Sequence, residues 1–562
     1  MLLQRLNELA ERLRDDPEAD LPPPLYQSKW LRYVIELDAQ GRLKSNEPTD
    51  LADPGDRHRK SGQRRHLPDI GRSGSKPPPI LLADNAIYTL GIGPEDMDAA
   101  KIAVRHAAYL EELHACAERT GRPEIVAIET CLRAHKDELE LGEFFTTAGN
   151  ITFRVDGALP IDQDWFQRDW LTLNTPTDGP EMQCIVCGQK KRVLKRLKGK
   201  IKGVPGGQSS GTSIISANEN AYESYGLDAS LIAPICLQCS EQMTKGLNWL
   251  LKSEHHRITL GPGAFVFWTR EASTFDFAAM MDRPDPDQVK ALLSSAFAGK
   301  QAPVDSNRFY AAYLSGSGGR VVVREWLDMA LPEAQGNLAG WFKRQQITRA
   351  WGEPHQPLGV YRLAEATVRD RKDLPAQTIH QLLVAALNDR PLPANLLYRT
   401  VERTRVENGV RHAQASLIKL VLCGTDPRLE DTMSELDCTI RRPDYLCGRL
   451  FAELEAAQRM ANPTAKATIT DRYYGTACTA PATVFGTLVQ GAQAHLSKLK
   501  RDRPGAYGGI QARLEEIMSG LEAFPATLTL EEQAYFALGY YHQRAADRAA
   551  AMEHTNSQEK ES

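Results

Sequence analysis

The sequence has no apolar run long enough to span a bilayer, which excludes a membrane-crossing helix. Its first residues are amphipathic and include acids, so they do not form a signal peptide. There is also no Walker A pattern, no HExxH helix and no acid–base constellation typical of a catalytic centre. The net charge of −4 is too small to indicate nucleic acid, so any such signal must be local. These absences predict a cytoplasmic protein without a membrane partner, and they offer no candidate catalytic centre of these types.

The composition is that of a large soluble protein. The 562 residues indicate several domains, and the apolar share of 42% and charged share of 25% are ordinary for globular proteins. Of the ten cysteines, the six outside one central stretch show no short pairing pattern. This usage favours a reducing compartment and one metal site over a disulfide framework.

Four cysteines form two pairs, Cys184-x-x-Cys187 and Cys236-x-x-Cys239. Two such pairs are typical of a tetrahedral zinc site with four thiolate ligands. Because four cysteines leave no open coordination position, we predict a structural zinc. The 48 intervening residues exceed the roughly 15–20 of a usual zinc ribbon. The middle is therefore expected to be an insertion, and four unrelated buried cysteines remain the alternative.

The segment between the pairs is strongly basic and then rich in small residues. Residues 190–202 contain eight basic side chains and no acid, and glycines and serines dominate residues 203–211. Lys195, Arg196, Lys198, Lys200 and Lys202 supply charge, and backbone N–H groups of a small-residue loop approach phosphates closely. A second basic loop is expected at residues 57–76. For either stretch alone, a solvated surface loop is the alternative reading.

The pattern of apolar residues predicts the α+β class: a mixed multi-domain N-terminal region with a zinc-ribbon-like insertion, followed by an antiparallel helical bundle. We expect a body over residues 1–430 that includes the zinc-ribbon-like segment 184–239, a bundle of about four helices over 431–550, and a disordered tail over 551–562. Within the body, a helix is predicted over 2–14, β-structure over 151–173 and a hairpin over 308–326.

Several blocks resemble the large subunit of the type I-C CRISPR Cascade surveillance complex. The most specific are KIKGVPGGQSSG at residues 200–211 and SANENAYESYG at residues 216–226. Residues 34–43, 84–91 and 320–326 also fit, and the resemblance covers nearly the whole chain. Many members of this family lack the cysteine pairs, so the zinc site would mark a subgroup, and the zinc prediction is tested separately from the family.

The resemblance implies a non-catalytic subunit that acts in antiviral defence within a ribonucleoprotein complex. Such a subunit recognises the protospacer-adjacent motif (PAM) on target duplex DNA, assists R-loop formation with the guide RNA, holds the displaced strand and helps recruit the helicase–nuclease. Its other partners are the Cascade backbone subunits and a small subunit, which the C-terminal bundle resembles and which an internal start at Met433 would produce separately. The resemblance implies DNA contacts for nine residues: Lys200, Lys202, Gln208, Ser209, Ser210, Asn218, Arg72, Lys76 and Asn85.

Two other functions stay open at this point. The first is a free-standing zinc-ribbon protein that binds nucleic acid without partners. The second is a serine hydrolase, because Gly207-Gln-Ser209-Ser-Gly211 matches the G-x-S-x-G motif. That motif requires a strand before the serine and a helix after it, and the flanking residues do not predict them.

Overall fold

The computed structural model describes residues 2–53, 62–72, 77–143, 145–177, 179–217, 219–297, 307–351, 353 and 355–561. The chain forms two compact units. Unit 1 contains Met1–Lys252 and Gly316–Val322, and unit 2 contains Ser253–Ser315 and Val323–Ser562. The predicted α+β class with a helical C-terminal region is confirmed. The predicted boundary near residue 430 stays a prediction.

Unit 1 is built on a five-stranded mixed sheet around its first strand. That strand pairs in parallel with β5 and antiparallel with β2 and β3, and β4 pairs with β5. Its apolar residues join a core that includes Ile35, Phe153 and Trp170. A separate two-stranded hairpin, β6–β7, introduces the first cysteine pair. The strands are β1 (Tyr26–Leu37), β2 (Thr49–Asp50), β3 (Gln63–Pro68), β4 (Asp84–Asn85), β5 (Asn150–Val155), β6 (Glu181–Gln183) and β7 (Lys190–Arg192).

The first and last helices of unit 1 pack on each other. Leu6, Leu9 and Leu13 of α1 are buried, as the predicted amphipathic helix requires. Gly246 of α6 permits close approach, because a Cβ there would lie 2.8 Å from the Leu6 carbonyl oxygen. The helices are α1 (Leu2–Arg14), α2 (Ala86–Thr89), α3 (Ala99–Thr120), α4 (Pro123–Thr130), α5 (Asp164–Leu173) and α6 (Leu237–Lys252).

The prediction of β-structure over residues 151–173 is wrong in its second half. Residues 150–155 form β5, but residues 164–173 form α5. Phe166 and Trp170 are one helical turn apart and point together into the core, where their rings lie 6.3 Å apart. The aromatic content favoured a strand, whereas the four-residue spacing of these two side chains fits a helix.

Unit 2 contains an antiparallel four-stranded sheet in the order β11-β10-β9-β8. Every residue of β9 is buried, and β9 lies between two neighbours, which suits its continuous apolar sequence. The predicted hairpin over residues 308–326 is confirmed by β10 and β11. The strands are β8 (Arg257–Leu260), β9 (Gly263–Thr269), β10 (Arg308–Ser317) and β11 (Arg320–Ala330).

The remainder of unit 2 is helical, and α15 is the centre of its C-terminal bundle because it packs on α17, α18 and α19. Prolines at the first turn start α15, α17 and α18, where a missing N–H is harmless. The helices are α7 (Phe277–Asp282), α8 (Pro286–Phe297), α9 (Leu331–Arg344), α10 (Val360–Glu365), α11 (Ala376–Asn388), α12 (Ala394–Val406), α13 (His412–Cys423), α14 (Leu429–Thr432), α15 (Pro443–Ala461), α16 (Ile469–Thr479), α17 (Pro481–Asp502), α18 (Pro504–Ser519) and α19 (Leu530–Glu561).

Two details of the bundle differ from the prediction. Five helices, rather than about four, follow residue 440 in the described part of the chain, because α16 forms a short extra helix with a capping box between Thr468 and Asp471. The last helix, α19, continues to Glu561, through the residues expected to form a disordered tail. Met433, the proposed internal start, is only 2% exposed.

Candidate metal centre and nucleic-acid interface

The first cysteine pair lies in the turn of the β6–β7 hairpin. The Cys184 N–H donates to the Gln189 carbonyl at 2.9 Å, and the Gly188 N–H donates back to the Cys184 carbonyl at 2.8 Å. Gly188 has a φ of +72°, a left-handed conformation that glycine adopts readily. This tight turn points both thiols of the pair to one side.

The second cysteine pair lies at the start of α6 and is joined to the hairpin by backbone hydrogen bonds. The Ile185 N–H donates to Pro234 at 3.0 Å, and the Leu194 N–H donates to Ile235 at 2.9 Å. Cys236 also forms an isolated bridge with Val193. These contacts bring residues about fifty positions apart in sequence into one cluster.

All four cysteine Sγ atoms lie within 4.8 Å of one another, and only Cys187 is exposed. Tetrahedral zinc–sulfur bonds of about 2.3 Å place thiolates about 3.8 Å apart, so a small contraction of this cluster would accommodate zinc. Hydrogen bonds from the Cys236 and Cys239 thiols hold the pKa of Cys184 far below its usual range. The same hydrogen bonds raise the pKa values of Cys236 and Cys239 at the start of α6. The four cysteines therefore could bind a metal, and the donor set suits zinc.

The basic segment that follows β7 is attached to α6 through its backbone. The Ser240 hydroxyl donates to the Lys198 carbonyl at 2.9 Å. The Asn248 side chain donates to the Lys200 carbonyl at 2.9 Å and accepts from the Lys202 N–H at 2.8 Å. Because the backbone is held at every second residue, the lysine side chains extend from a fixed line along the helix.

The Gly/Ser segment, residues 203–211, packs on the tip of the β10–β11 hairpin. The Gln208 N–H donates to Gly318 at 3.1 Å, and the Gly316 N–H donates to Pro205 at 2.8 Å. A Cβ on Gly316 would lie 2.1 Å from the Gly207 nitrogen, so only glycine fits there. Beyond this contact, the Ser213 N–H donates to Gly319 at 2.8 Å. The segment is thus a supported loop.

The predicted contact residues in this segment are on its surface. Lys200, Lys202, Gln208, Ser209 and Ser210 are exposed, and Lys198 is half-buried. The Lys200 ammonium donates to the Ser213 hydroxyl at 3.2 Å. We call residues 198–213 the basic loop. Its exposed side chains offer cations, one amide and two hydroxyls to a phosphate backbone or to base edges.

Lys195 differs from the lysines of the basic loop because it has an acidic partner. Its ammonium lies 2.5 Å from the Asp228 carboxylate, and this hydrogen bond lowers the pKa of Asp228. Lys195 is nonetheless exposed, and it lies three residues before the start of the basic loop in the sequence. It therefore serves as a matched control for the charge of Lys200.

Arg72 and Asn85 belong to a second group, built on β4 and α2. The Arg72 guanidinium pairs with Asp84 and lies 4.3 Å from the centre of the Tyr88 ring. Burial raises the pKa of Asp84, although Arg72 opposes this shift. The Asn85 Oδ1 atom is buried without a hydrogen-bond partner in the described part of the chain. Arg72 thus stabilises a buried carboxylate, and its DNA contact stays a prediction.

Other predicted contacts lie outside the described residues. These are Asn218, Lys76 and the other residues of the 57–76 stretch outside 62–72. Within 62–72, the expectation of a loop is wrong for residues 63–68, which form β3 and pair with β1.

The sequence did not single out several residues that support or flank the basic loop. Asn248 carries no motif, and its role depends on the position of α6. Arg320 lies 4.3 Å from the centre of the Tyr222 ring, and Tyr225 is 98% exposed. Both tyrosines lie within the block 216–226 that resembles the family, and this resemblance was the one signal in the sequence that pointed to them.

The context required by the G-x-S-x-G motif is missing around Ser209. Residues 208–211 form a turn closed by the Gly211 N–H and the Gln208 carbonyl at 2.9 Å. Thr212 and Ser213 then form isolated bridges rather than a helix. A strand–turn–helix elbow is therefore not formed at this serine.

A comparison with protein-family models finds one described as CRISPR-associated protein (Cas_Csd1), which matches residues 6–547. The chain belongs to this family. The Csd1 match thus extends from α1 to α19 and includes the cysteine cluster, the basic loop and the C-terminal bundle. A search of curated proteins finds no match for the chain.

None of the described helices is long and apolar enough to cross a membrane.

Proposed function

We propose that this Csd1-family protein is the non-catalytic large subunit of a type I-C CRISPR Cascade complex, active in antiviral defence. In this role it recognises the PAM on target duplex DNA, assists R-loop formation with the guide RNA and helps recruit the helicase–nuclease. Its partners are the Cascade backbone subunits and the small subunit. The family match over residues 6–547 is the observation that carries the proposal.

The basic loop is the part of the chain that we assign to duplex contact. Its backbone is fixed by Asn248 on one side and by the hairpin tip on the other. Pre-positioned donors lose little freedom on binding, so they favour a tight contact. Lysines neutralise phosphates, whereas Gln208 has the amide chemistry that reads a base edge.

We assign a structural zinc to Cys184, Cys187, Cys236 and Cys239. A bound zinc would cross-link the β6–β7 turn to the start of α6. The cysteines themselves hold both ends of the segment that contains the basic loop. Their contribution to DNA binding is therefore indirect, through the position of the loop.

The test is duplex binding by the assembled complex, with guide RNA present and the ionic strength varied. Lys200→Ala with Gln208→Ala should weaken binding and reduce the salt slope by about 0.9 for each lost phosphate contact. Lys195→Ala removes the same charge from the same stretch and should leave binding nearly unchanged. Unchanged binding and slope in the double variant would remove the basic loop from the interface.

The cysteine cluster also supports a second candidate, a zinc-ribbon protein that binds nucleic acid alone. The two functions differ in their requirement for guide RNA. Tight duplex binding by the isolated chain, unchanged when guide RNA and backbone subunits are added, would favour the second candidate.

A further inference from the structure

The exposure of the ten cysteines is uneven, and it separates one thiol of the cysteine cluster from the other three. Eight cysteines are buried, and only Cys187 and Cys438 are exposed. Burial raises the pKa to about 11 or about 12 at the five buried cysteines outside the cluster, which are Cys116, Cys131, Cys423, Cys447 and Cys478. Because the thiolate is the nucleophile, these five react poorly with oxidants.

Cys187 is at the surface because the turn of the β6–β7 hairpin is at the surface. Gly188 and Gln189, which follow it, are exposed, and Ile185 is 44% exposed. The three other cysteines of the cluster are each at most 3% exposed. A small oxidant in the solvent therefore reaches one of the four sulfur atoms directly.

A second thiol lies beside Cys187, within reach of disulfide formation. The four Sγ atoms of the cluster lie within 4.8 Å of one another. A disulfide requires about 2.05 Å between its sulfur atoms, so a small movement of the exposed turn would join Cys187 to a neighbour. Cys184 is the neighbour in the same turn, and the Cys-x-x-Cys spacing is that of thiol–disulfide oxidoreductases. Cys438 differs, because it contacts the Arg449 guanidinium at 3.5 Å and belongs to no such cluster in the described part of the chain.

We propose that Cys187 is a site of oxidative modification by hydrogen peroxide, with Cys184 as its resolving cysteine. The Cys187 thiolate attacks one peroxide oxygen, the O–O bond breaks and hydroxide leaves, which gives a sulfenic acid. The Cys184 thiolate then attacks the Cys187 sulfur, the S–S bond forms, the S–O bond breaks and a second hydroxide leaves. Two thiolates are oxidised and one peroxide is reduced. A thiol reductant reverses the reaction, so the disulfide is transient in a reducing compartment.

The disulfide changes how the hairpin is held to α6. Two thiolates are left instead of four, which is too few for the structural zinc site proposed above. Without that cross-link, the attachment depends on the backbone hydrogen bonds from Ile185 to Pro234 and from Leu194 to Ile235. Any effect of oxidation on DNA binding rests on the proposed function, whereas formation of the disulfide does not.

The experiment treats the full chain with hydrogen peroxide and follows each cysteine by mass spectrometry, with dimedone to trap sulfenic acid. Cys187 should be labelled first. Without dimedone, a Cys184–Cys187 disulfide should form and should disappear with dithiothreitol. A chromogenic chelator should detect zinc release at the rate of disulfide formation, and hydrogen exchange at the Ile185 and Leu194 amides should accelerate about tenfold.

Cys438→Ser is the matched control, because it removes the other exposed thiol. It should leave the rate of disulfide formation at the cluster unchanged, whereas Cys184→Ser should make the Cys187 sulfenic acid persist. The conclusion does not depend on the folding of Cys184→Ser, since the order of oxidation is measured in the unmodified protein.

Three results would overturn the proposal. The first is oxidation of a buried cysteine as fast as Cys187. The second is a cluster that stays reduced while Cys438 is oxidised. The third is a Cys187 that stops at the sulfenic acid or pairs with Cys236 or Cys239, which would remove the role of Cys184. A Cys184–Cys187 disulfide in protein that contains no zinc would support the proposal and contradict only the zinc assignment.

Discussion

A buried pair of carboxyl groups in the C-terminal bundle should make its stability depend on pH. Glu453 of α15 faces Asp547 of α19. One oxygen of Glu453 accepts from Arg513 at 2.6 Å and from Gln543 at 2.8 Å. The Glu453 Oε2 and Asp547 Oδ2 atoms are buried and have no donor among the described residues. We infer that the two groups share a proton.

Burial and the Asp547 charge raise the pKa of Glu453 from 4.5 to about 8. The folded protein therefore keeps a proton that the unfolded chain has already released between these two values. Because the unfolded state binds fewer protons, the free energy of unfolding falls as the pH rises through this window. With 1.36 kcal/mol per pH unit, the expected loss between pH 6 and pH 9 is about 2–3 kcal/mol.

Glu453→Gln should remove most of this dependence. The amide keeps an oxygen for Arg513 and Gln543, and its NH₂ group donates to Asp547 at any pH. We expect the melting temperature of the variant to stay nearly constant from pH 6.5 to pH 8, while that of the unmodified protein falls by several degrees. Above pH 8 the buried Lys245, whose pKa is lowered to about 8, also releases a proton and raises the free energy of unfolding in both proteins. The buried His542, whose pKa is lowered to about 3, affects stability only below this window.

Glu515→Gln provides the control, because Glu515 is an exposed glutamate on the neighbouring α18. It should follow the unmodified protein at each pH. If Glu453→Gln shows the same decline as the unmodified protein, the shared proton is refuted. If the variant is less stable at pH 9, the ionised pair is better stabilised than its surroundings indicate.

Three further predictions concern unit 1. Purified protein should contain one equivalent of zinc by metal analysis, and Cys184→Ser should remove it; less than half an equivalent would contradict the zinc site. Asn248→Ala removes two hydrogen bonds to the basic loop, so hydrogen exchange at the Lys202 amide should accelerate about tenfold or more, whereas an unchanged rate would mean that other contacts hold the loop. Gly316→Ala should destabilise the hairpin tip by about 1–3 kcal/mol and weaken duplex binding, because its new Cβ would meet the Gly207 backbone. Gly336→Ala is the control, since nothing lies within 4 Å of its new Cβ. Equal effects of the two substitutions would argue against the close contact.

Local sequence patterns predicted several helices and strands of the fold. The apolar spacing of residues 2–14 predicts a helix because only that period places Leu6, Leu9 and Leu13 on one face. The hairpin over residues 308–326 was predictable from apolar runs around a glycine-rich turn. The prediction for residues 164–173 was wrong because two signals conflict there. The aromatic content favours a strand, whereas the four-residue spacing of Phe166 and Trp170 favours a helix, and the packing of these two side chains in the core stabilises the helix.

The features that the sequence did not predict depend on contacts between residues far apart in the chain. The two cysteine pairs were visible as motifs, and their convergence follows from metal chemistry. By contrast, Asn248 belongs to no local pattern, and the glycine-rich turn around Gly316 predicts a hairpin but not its contact with Gly207, more than a hundred residues earlier. At Arg72, a local feature of the sequence suggested a role that the structure does not support. Its charge suggested DNA, but Asp84, twelve residues later, pairs with it in the structure.

The cysteine cluster has a consequence for how the chain tolerates change. It closes a loop of 48 residues, and the entropy of closing a loop rises by only about 0.6 kcal/mol for each doubling of its length. Within that loop, residues 219–226 are exposed, and Tyr225 is almost completely so. A fluorescent or affinity tag placed after Tyr225 would therefore leave the cysteine cluster and the backbone contacts of the basic loop in place.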